Sequence, residues 1–348
     1  MIYNYLRIIC IGGIYMKKKI FAIIITIILG ITLVGCTKPV KNAVVSMSWF
    51  GYDIAKEIIK DKQPVVLARK VGASGHGKEN SLTVKSKVEI DNSILFIYTS
   101  KIVDGWFVKD EKNLPKNSLN LFHEVFEGET EHDHHHHGSL LNQNIFAHEG
   151  HHHHHHGGEI DEEHAKIHFW TNPVYIIKVA DAIKDKMVEI DKTNKDFYEQ
   201  NYNAYKAKLE KEIHEFKEYL KTLPEENKKQ PVLFIGHDSM GAFAKEFGLT
   251  YLPMSLHIQE NGLPTPSEIN KIIEEVKEHN SKFIFKPELG ESDRQVEKII
   301  EVLKRENITV TAVELNGFHN VTQEQFNKNI TYLDILKQNI KNLKLVLK

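Results

Sequence analysis

Twelve of the chain's 21 histidines lie between Glu131 and His156, in the stretch EHDHHHHGSLLNQNIFAHEGHHHHHH. They are His132, His134, His135, His136, His137 and His148, then the unbroken run His151, His152, His153, His154, His155 and His156. Neutral imidazole is the commonest protein ligand for borderline transition metals. A run of it among Glu, Asp and Gly predicts a metal-collecting loop rather than part of a packed core. An expression tag is the other reading of His151 to His156. The run is internal, however, and His134 to His137 form a second one before it, so the tract reads as native.

Four further histidines stand alone, each in a loop beside an expected strand or helix, where ligands gather in open α/β sheets. They are His76 in GASGHG, His168 in IHFWTNP, His237 in FIGHDSMG and His319 in LNGFHN. Each also has a plain structural reading: a solvated loop residue at His76, a packing histidine among apolar neighbours at His168, and a turn residue at His237 or His319. Glu288, in KPE, is an alternative carboxylate ligand, against a reading as a structural or capping residue. A ligating imidazole must be neutral, and its other nitrogen needs an acceptor; Asp238 and Glu79 are near enough in sequence to serve. His123, His164, His214, His257 and His279 are read as surface or tract residues. Three imidazoles and an open position would also activate water, but no His-Glu-x-x-His helix occurs and four ligands would close the coordination sphere. The chain is therefore expected not to be an enzyme.

The elements that position these loops alternate. Strands are expected at Ala43–Met47, Pro64–Ala68 and Ser93–Tyr98, with helices at Trp49–Lys60 and Val84–Ile90. A long loop from about Glu124 to His164 follows, rich in Gly and poor in core formers. Two helices then run from Pro173 to Leu223, divided near Asp191 to Asn194; the second has apolar positions Phe197, Tyr202, Tyr205, Leu209, Ile213, Phe216 and Leu220. Strands at Pro231–Ile235, Thr250–Met254, Lys282–Phe285 and Thr309–Glu314 alternate with helices at Gly241–Phe247, Ser267–His279 and Gln295–Glu306. A closing helix covers Asn329–Leu347. The fold class is α/β: two lobes with central parallel sheets joined by one long helix. The expected domains are 37–190 with the His-rich loop 124–164, the linking helix 191–224, and 225–348.

Ahead of these lies a targeting segment. Lys17 to Lys19 precede the apolar run Ile20 to Val34 and then Gly35-Cys36. A basic start, an apolar stretch too short to span a bilayer comfortably and a small residue before cysteine make residues 1–36 an upstream extension plus a lipoprotein signal peptide. Cleavage is expected before Cys36, which would carry the lipid; an uncleaved anchor is the alternative. Met16 is the better start, and residues 1–15 have no role in this plan. Cys10 and Cys36 are the only cysteines, so no disulfide is available to the mature fold. The formal net charge of −2 offers no basic footprint for nucleic acid.

At the histidine loops the chain resembles the metal-binding lipoproteins of bacterial zinc and manganese ABC importers, the cluster A-I, ZnuA/AdcA-like type. The resemblance covers Val44 to Leu347. The family's His-x-Trp and Asp-Pro motif is similar to His168-Phe169-Trp170-Thr171-Asn172-Pro173, and its strand into His-Asp-x-x-Gly/Ala to Phe234 through Gly241. Its Pro-His-x-Tyr-Glu-Pro survives only as Gly75-His76-Gly77-Lys78-Glu79-Asn80. The stretch Leu-Asn-Pro-Leu-Glu-x-x-Thr, whose Glu is a ligand, resembles Leu315 through Thr322 and puts His319 at the Glu position. Trp106 matches a family tryptophan and is read as core or cleft wall.

The resemblance implies that the connecting helix is rigid and that His76, His168, His237 and His319 are metal ligands at a site in the cleft between the lobes. Four imidazoles in a tetrahedron suit Zn²⁺, whereas manganese receptors pair two histidines with two carboxylates, which makes Mn²⁺ the second choice. The expected function is an extracytoplasmic zinc receptor, lipid-anchored to the outer face of the bacterial cytoplasmic membrane. It would act as a monomer and pass its ion to a permease with its ATPase. A manganese receptor and a surface lipoprotein for metal storage or adhesion are the alternatives.

Overall fold

The computed structural model describes residues 38–72, 82–126, 166–236, 238–254, 264–288 and 292–348. The His-rich tract, His76, Glu79, His237, His257 and Cys36 lie outside them. The strands are β1 (Val44–Ser46), β2 (Val65–Leu67), β3 (Leu95–Tyr98), β4 (Ser118–Asn120), β5 (Val232–Ile235), β6 (Tyr251–Met254), β7 (Phe283–Pro287) and β8 (Thr311–Leu315). The helices are α1 (Trp49–Ile59), α2 (Val84–Asp91), α3 (Lys101–Asp104), α4 (Leu121–Phe126), α5 (Pro173–Ile190), α6 (Lys195–Thr222), α7 (Gly241–Phe247), α8 (Pro266–Glu278), α9 (Ser292–Arg305), α10 (Gln323–Asn327) and α11 (Tyr332–Val346), with a single turn at Glu225–Lys228.

Two sheets result, ordered β2-β1-β3-β4 and β6-β5-β7-β8, with every pairing parallel. The register sets Val44 against both Val65 and Leu95 in the first sheet, and Val232 against Tyr251 in the second. Parallel strands need crossovers, and helices covering both faces explain why β1, β3 and β5 are buried along their whole length. Alternate residues of one strand serve different cores. Val44, Leu95, Ile97 and Phe234 join the main apolar cluster, while Val45, Phe96 and Tyr98 join one outer cluster and Leu233 and Ile235 another.

The main cluster runs from Trp49 and Phe50 on α1 through Tyr205, Leu209 and Phe216 on α6 to Phe243 on α7 and Leu343 on α11. It thus draws on both sheets' layers, and Val40–Lys348 forms one compact unit. The stripe Tyr198, Tyr205, Leu209, Ile213 and Phe216 is the buried face of α6. Tyr198 takes the place expected for Phe197 because its hydroxyl reaches Asp191 Oδ2 at 2.8 Å, so an apolar ring and a satisfied polar tip can both be buried. Among the described residues no helix is long and apolar enough to cross a membrane.

Helix starts follow side-chain caps. Ser48 accepts from Gly51 N–H, Asn172 from Val174 N–H ahead of Pro173, and Thr265, Thr322 and Thr331 each form a capping box. The Thr331 cap and the left-handed Asn329 (φ 53°) start the closing helix at Tyr332, three residues later than the periodicity predicts. Strand β4 and helices α3, α4 and α10 were not expected. The edge strand β4 buries only Leu119, too little apolar pattern to show in sequence. Helix α4 carries Glu124 and buries Val125 and Phe126, so regular structure extends slightly into the stretch expected to be loop.

Candidate metal centre

His168 is buried and stands just before the 3₁₀ turn Phe169–Thr171. Its carbonyl accepts from the Thr171 amide and from Thr171 Oγ1, both at 3.0 Å, which fixes its backbone. Its ring meets the edge of Trp170, with centroids 5.2 Å apart. The Trp170 ring stacks on Phe50 at 5.5 Å, its carbonyl accepts from the Tyr332 hydroxyl at 3.0 Å, and its indole N–H donates to Gly317 O at 2.9 Å. The same ring lies beside His319, tilted, again with centroids 5.2 Å apart. One indole therefore contacts two of the four singled-out histidines and is tied to the loops that carry both.

The loop after β8 holds His319 through buried polar contacts. Asn339 on α11 brackets Asn316, donating to its carbonyl at 2.8 Å and accepting from its amide at 2.9 Å. Asn316 Oδ1 in turn accepts from Phe318 N–H at 2.6 Å. Phe318 adopts φ 58°, a left-handed conformation costly for an aromatic residue, and stacking on Tyr332 at 4.4 Å holds it there. His319 Nε2 lies 2.9 Å from an Nη of Arg69, a buried residue immediately after β2. Asn320 Nδ2 donates to Lys70 O at 3.2 Å, so the segment leading toward His76 is fastened to the His319 loop.

The turn that would carry His237 is fixed from both sides. Gly236 donates to Met254 O at 3.1 Å, and a Cβ there would lie 3.1 Å from the Phe234 ring and 3.4 Å from Pro287, so a larger residue would have to push these side chains aside. Asp238 hydrogen-bonds the Tyr251 hydroxyl, and burial with that carboxylate alongside pushes the phenol well above its ordinary value. Ser239 Oγ comes within 3.9 Å of where a Gly317 Cβ would stand. The loop after β8 thus meets three other segments: Arg69–Lys70 against His319–Asn320, His168–Trp170 against Gly317–His319, and Ser239 near Gly317. The strand-end loops lie at the carboxyl ends of both sheets, where ligand sites form in open α/β folds.

Glu288 is engaged elsewhere. Its amide donates to Leu315 O at 3.0 Å, one carboxylate oxygen accepts from Asn316 Nδ2 at 2.6 Å, and the other accepts from Gln325. Both oxygens brace the loop that carries His319. Trp106 packs half-buried against the outer cluster of Ala43, Val45 and Phe96, away from Trp170's cluster. His123 and His214 are exposed, and His279 lies 3.5 Å from Glu275. Among the described residues no group of three or more His, Cys, Asp or Glu forms a complete metal cage.

Sequence reading missed Arg69, Asn316, Asn339 and Tyr332. Arg69 is held near a buried carboxylate, Asp104. Burial pushes Asp104 up to about 6, opposed by the Thr99 amide at 2.7 Å and by the Arg69 charge. Burial lowers the Arg69 value, and Asp104 works against that shift. Asn316 lay inside the quoted Leu315–Thr322 motif without being given a role; no local pattern marks Arg69, Asn339 or Tyr332, because their partners are remote in the chain.

Two parallel sheets with one strand order, a long helix packed across their common core and the loops of His168 and His319 meeting at Trp170 match the architecture of a two-lobed α/β substrate-binding protein. The chain belongs to the ZnuA family, zinc-uptake complex component A, whose model matches residues 44–346. It is a substrate-binding protein of a metal ABC transporter and not an enzyme. It is 31% identical over 309 residues to the high-affinity zinc uptake system protein ZnuA of Bacillus subtilis, covering 88% of each chain. The crystal structure of the metal-dependent lipoprotein YcdH from B. subtilis superposes with a TM-score of 0.66 at 26% identity, covering 88% of this chain and all of that one. The manganese ABC transporter substrate-binding lipoprotein PsaA of Streptococcus anginosus is 24% identical over 93% of this chain and 97% of its own.

Proposed function

We propose that the protein is a zinc receptor that holds one Zn²⁺ between its lobes through His76, His168, His237 and His319 and delivers it to a permease driven by an ATPase. It works outside the cytoplasm as a monomer, tethered to the outer face of the bacterial cytoplasmic membrane by lipid on Cys36. The tract from His132 to His156 collects metal, and its tethering makes the transfer to the tight site intramolecular. The observation that supports the reading is Trp170, whose ring lies 5.2 Å from both His168 and His319 and whose indole N–H is bonded into the His319 loop.

Zinc is favoured over manganese because both described rings at this place are imidazoles, and the one carboxylate proposed as an alternative, Glu288, has both oxygens hydrogen-bonded. The name of the B. subtilis relative points the same way. The test is metal analysis and titration of the full chain with single His76, His168, His237 and His319 alanine variants, each expected to lose most of the tight binding. Unchanged binding in all four overturns the assignment. Deleting Glu131 to His156 is expected to leave one tight site and remove several weak ones. If the deletion removes the tight site, the tract itself is the receptor, and many equivalent sites would favour a storage protein.

A further inference from the structure

Tyr332, the first residue of α11, is fully buried and holds three remote segments at once. Its amide donates to Asp53 Oδ2 on α1 at 2.8 Å, its ring stacks on Phe318 with centroids 4.4 Å apart, and its hydroxyl donates to Trp170 O at 3.0 Å. Phe318 immediately precedes His319, and Trp170 lies two residues past His168. One side chain therefore spans the turn ahead of α5 and the loop after β8. Resting on the reading of His168 and His319 as ligands, we infer that Tyr332 is a positioning residue that sets the spacing of these two imidazoles and thereby the size of ion the site accepts.

Several contacts favour this role over core filling. A phenylalanine would fill the same apolar space, yet the hydroxyl is present and lands on a main-chain carbonyl of the His168 turn. That turn is fixed from its other side by the two bonds from Thr171 to His168 O. At the second end, Phe318 sits at φ 58°, a conformation that persists only where its surroundings impose it. The face of Tyr332 and the Asn316 side chain impose it here, and without them the backbone before His319 would relax and carry the imidazole with it. The Asp53 carboxylate and the Thr331 capping box hold the base of the tyrosine, so the span is braced at three points. Zinc takes its nitrogens at about 2.0–2.1 Å, which leaves little slack in such a span. Cadmium, a larger ion that accepts the same imidazoles, tolerates a wider one.

The test uses the full chain with zinc and cadmium ions as probes. Tyr332→Phe keeps the ring and its stack on Phe318 while removing the hydroxyl, and circular dichroism checks that the variant is folded. Zinc is expected to bind about tenfold more weakly and cadmium less than about threefold more weakly, the low end for outer partners of metal ligands. In the His168→Ala background the hydroxyl should make no further difference. A merely structural role would weaken both ions alike, so equal losses, no loss, or a full further loss in that background overturns the positioning role alone. If Tyr332→Phe does not fold, Phe318→Leu, which gives up the stacked ring, must show the same bias toward cadmium, and an unbiased result overturns the role. Undiminished zinc binding by either His168→Ala or His319→Ala overturns the ligand assignment, and the Tyr332 role with it.

Discussion

Asp53 lies within α1 at 5% exposure, and its carboxylate accepts the Tyr332 amide at 2.8 Å where the closing helix begins. Burial pushes its pKa from 3.8 to about 7, against the lowering effect of that hydrogen bond. The folded protein thus keeps a proton that the unfolded chain releases. Across that window the native state binds more protons, so stability is greatest at the acid end, falls as pH rises toward about 7 and is level above. Asp53→Asn retains an acceptor for the Tyr332 amide while removing the charge. By urea denaturation at about pH 8, the variant is expected to be more stable than the parent, by on the order of 2–4 kcal/mol, with no gain near pH 4. Asp104, raised to about 6 by burial, has the same sign and should leave a smaller slope in the variant. A variant no more stable than the parent at about pH 8 would show that Asp53 is not the source of the slope.

Helix α11 shows how a single cap positions an element. Thr331 Oγ1 accepts from Asp334 N–H at 3.2 Å while the Asp334 carboxylate accepts from the Thr331 amide at 3.0 Å. Thr331→Ala is expected to cost about 1 kcal/mol in thermal or chemical unfolding, and no loss would show the cap to be redundant. Caps, periodicity and buried apolar runs made most elements legible in the sequence: the division between α5 and α6 falls at the expected residues, and the parallel alternation is as read. Short elements such as β4 were not, since one buried leucine sets no pattern. The loops bearing His168 and His319 could be found from local motifs. Their environment could not, because Trp170 reaches Gly317, Tyr332 reaches Trp170 and Arg69 reaches His319 only after the chain has folded back on itself.

At the scale of the whole molecule, the closing helix is bonded into the opening one. Helix α11 packs on β8, α6 and α1, and Tyr332 at its start and Asn339 at its middle reach toward the site. With one apolar cluster spanning both sheets' layers, Val40–Lys348 is expected to unfold as a single cooperative transition in calorimetry. Two separated transitions would contradict that continuity. The 28 residues of α6 form one uninterrupted rod of about 42 Å, packed along α5 and α1. A strut of that kind resists the wide jaw-like swing by which hinged receptors announce that they are full.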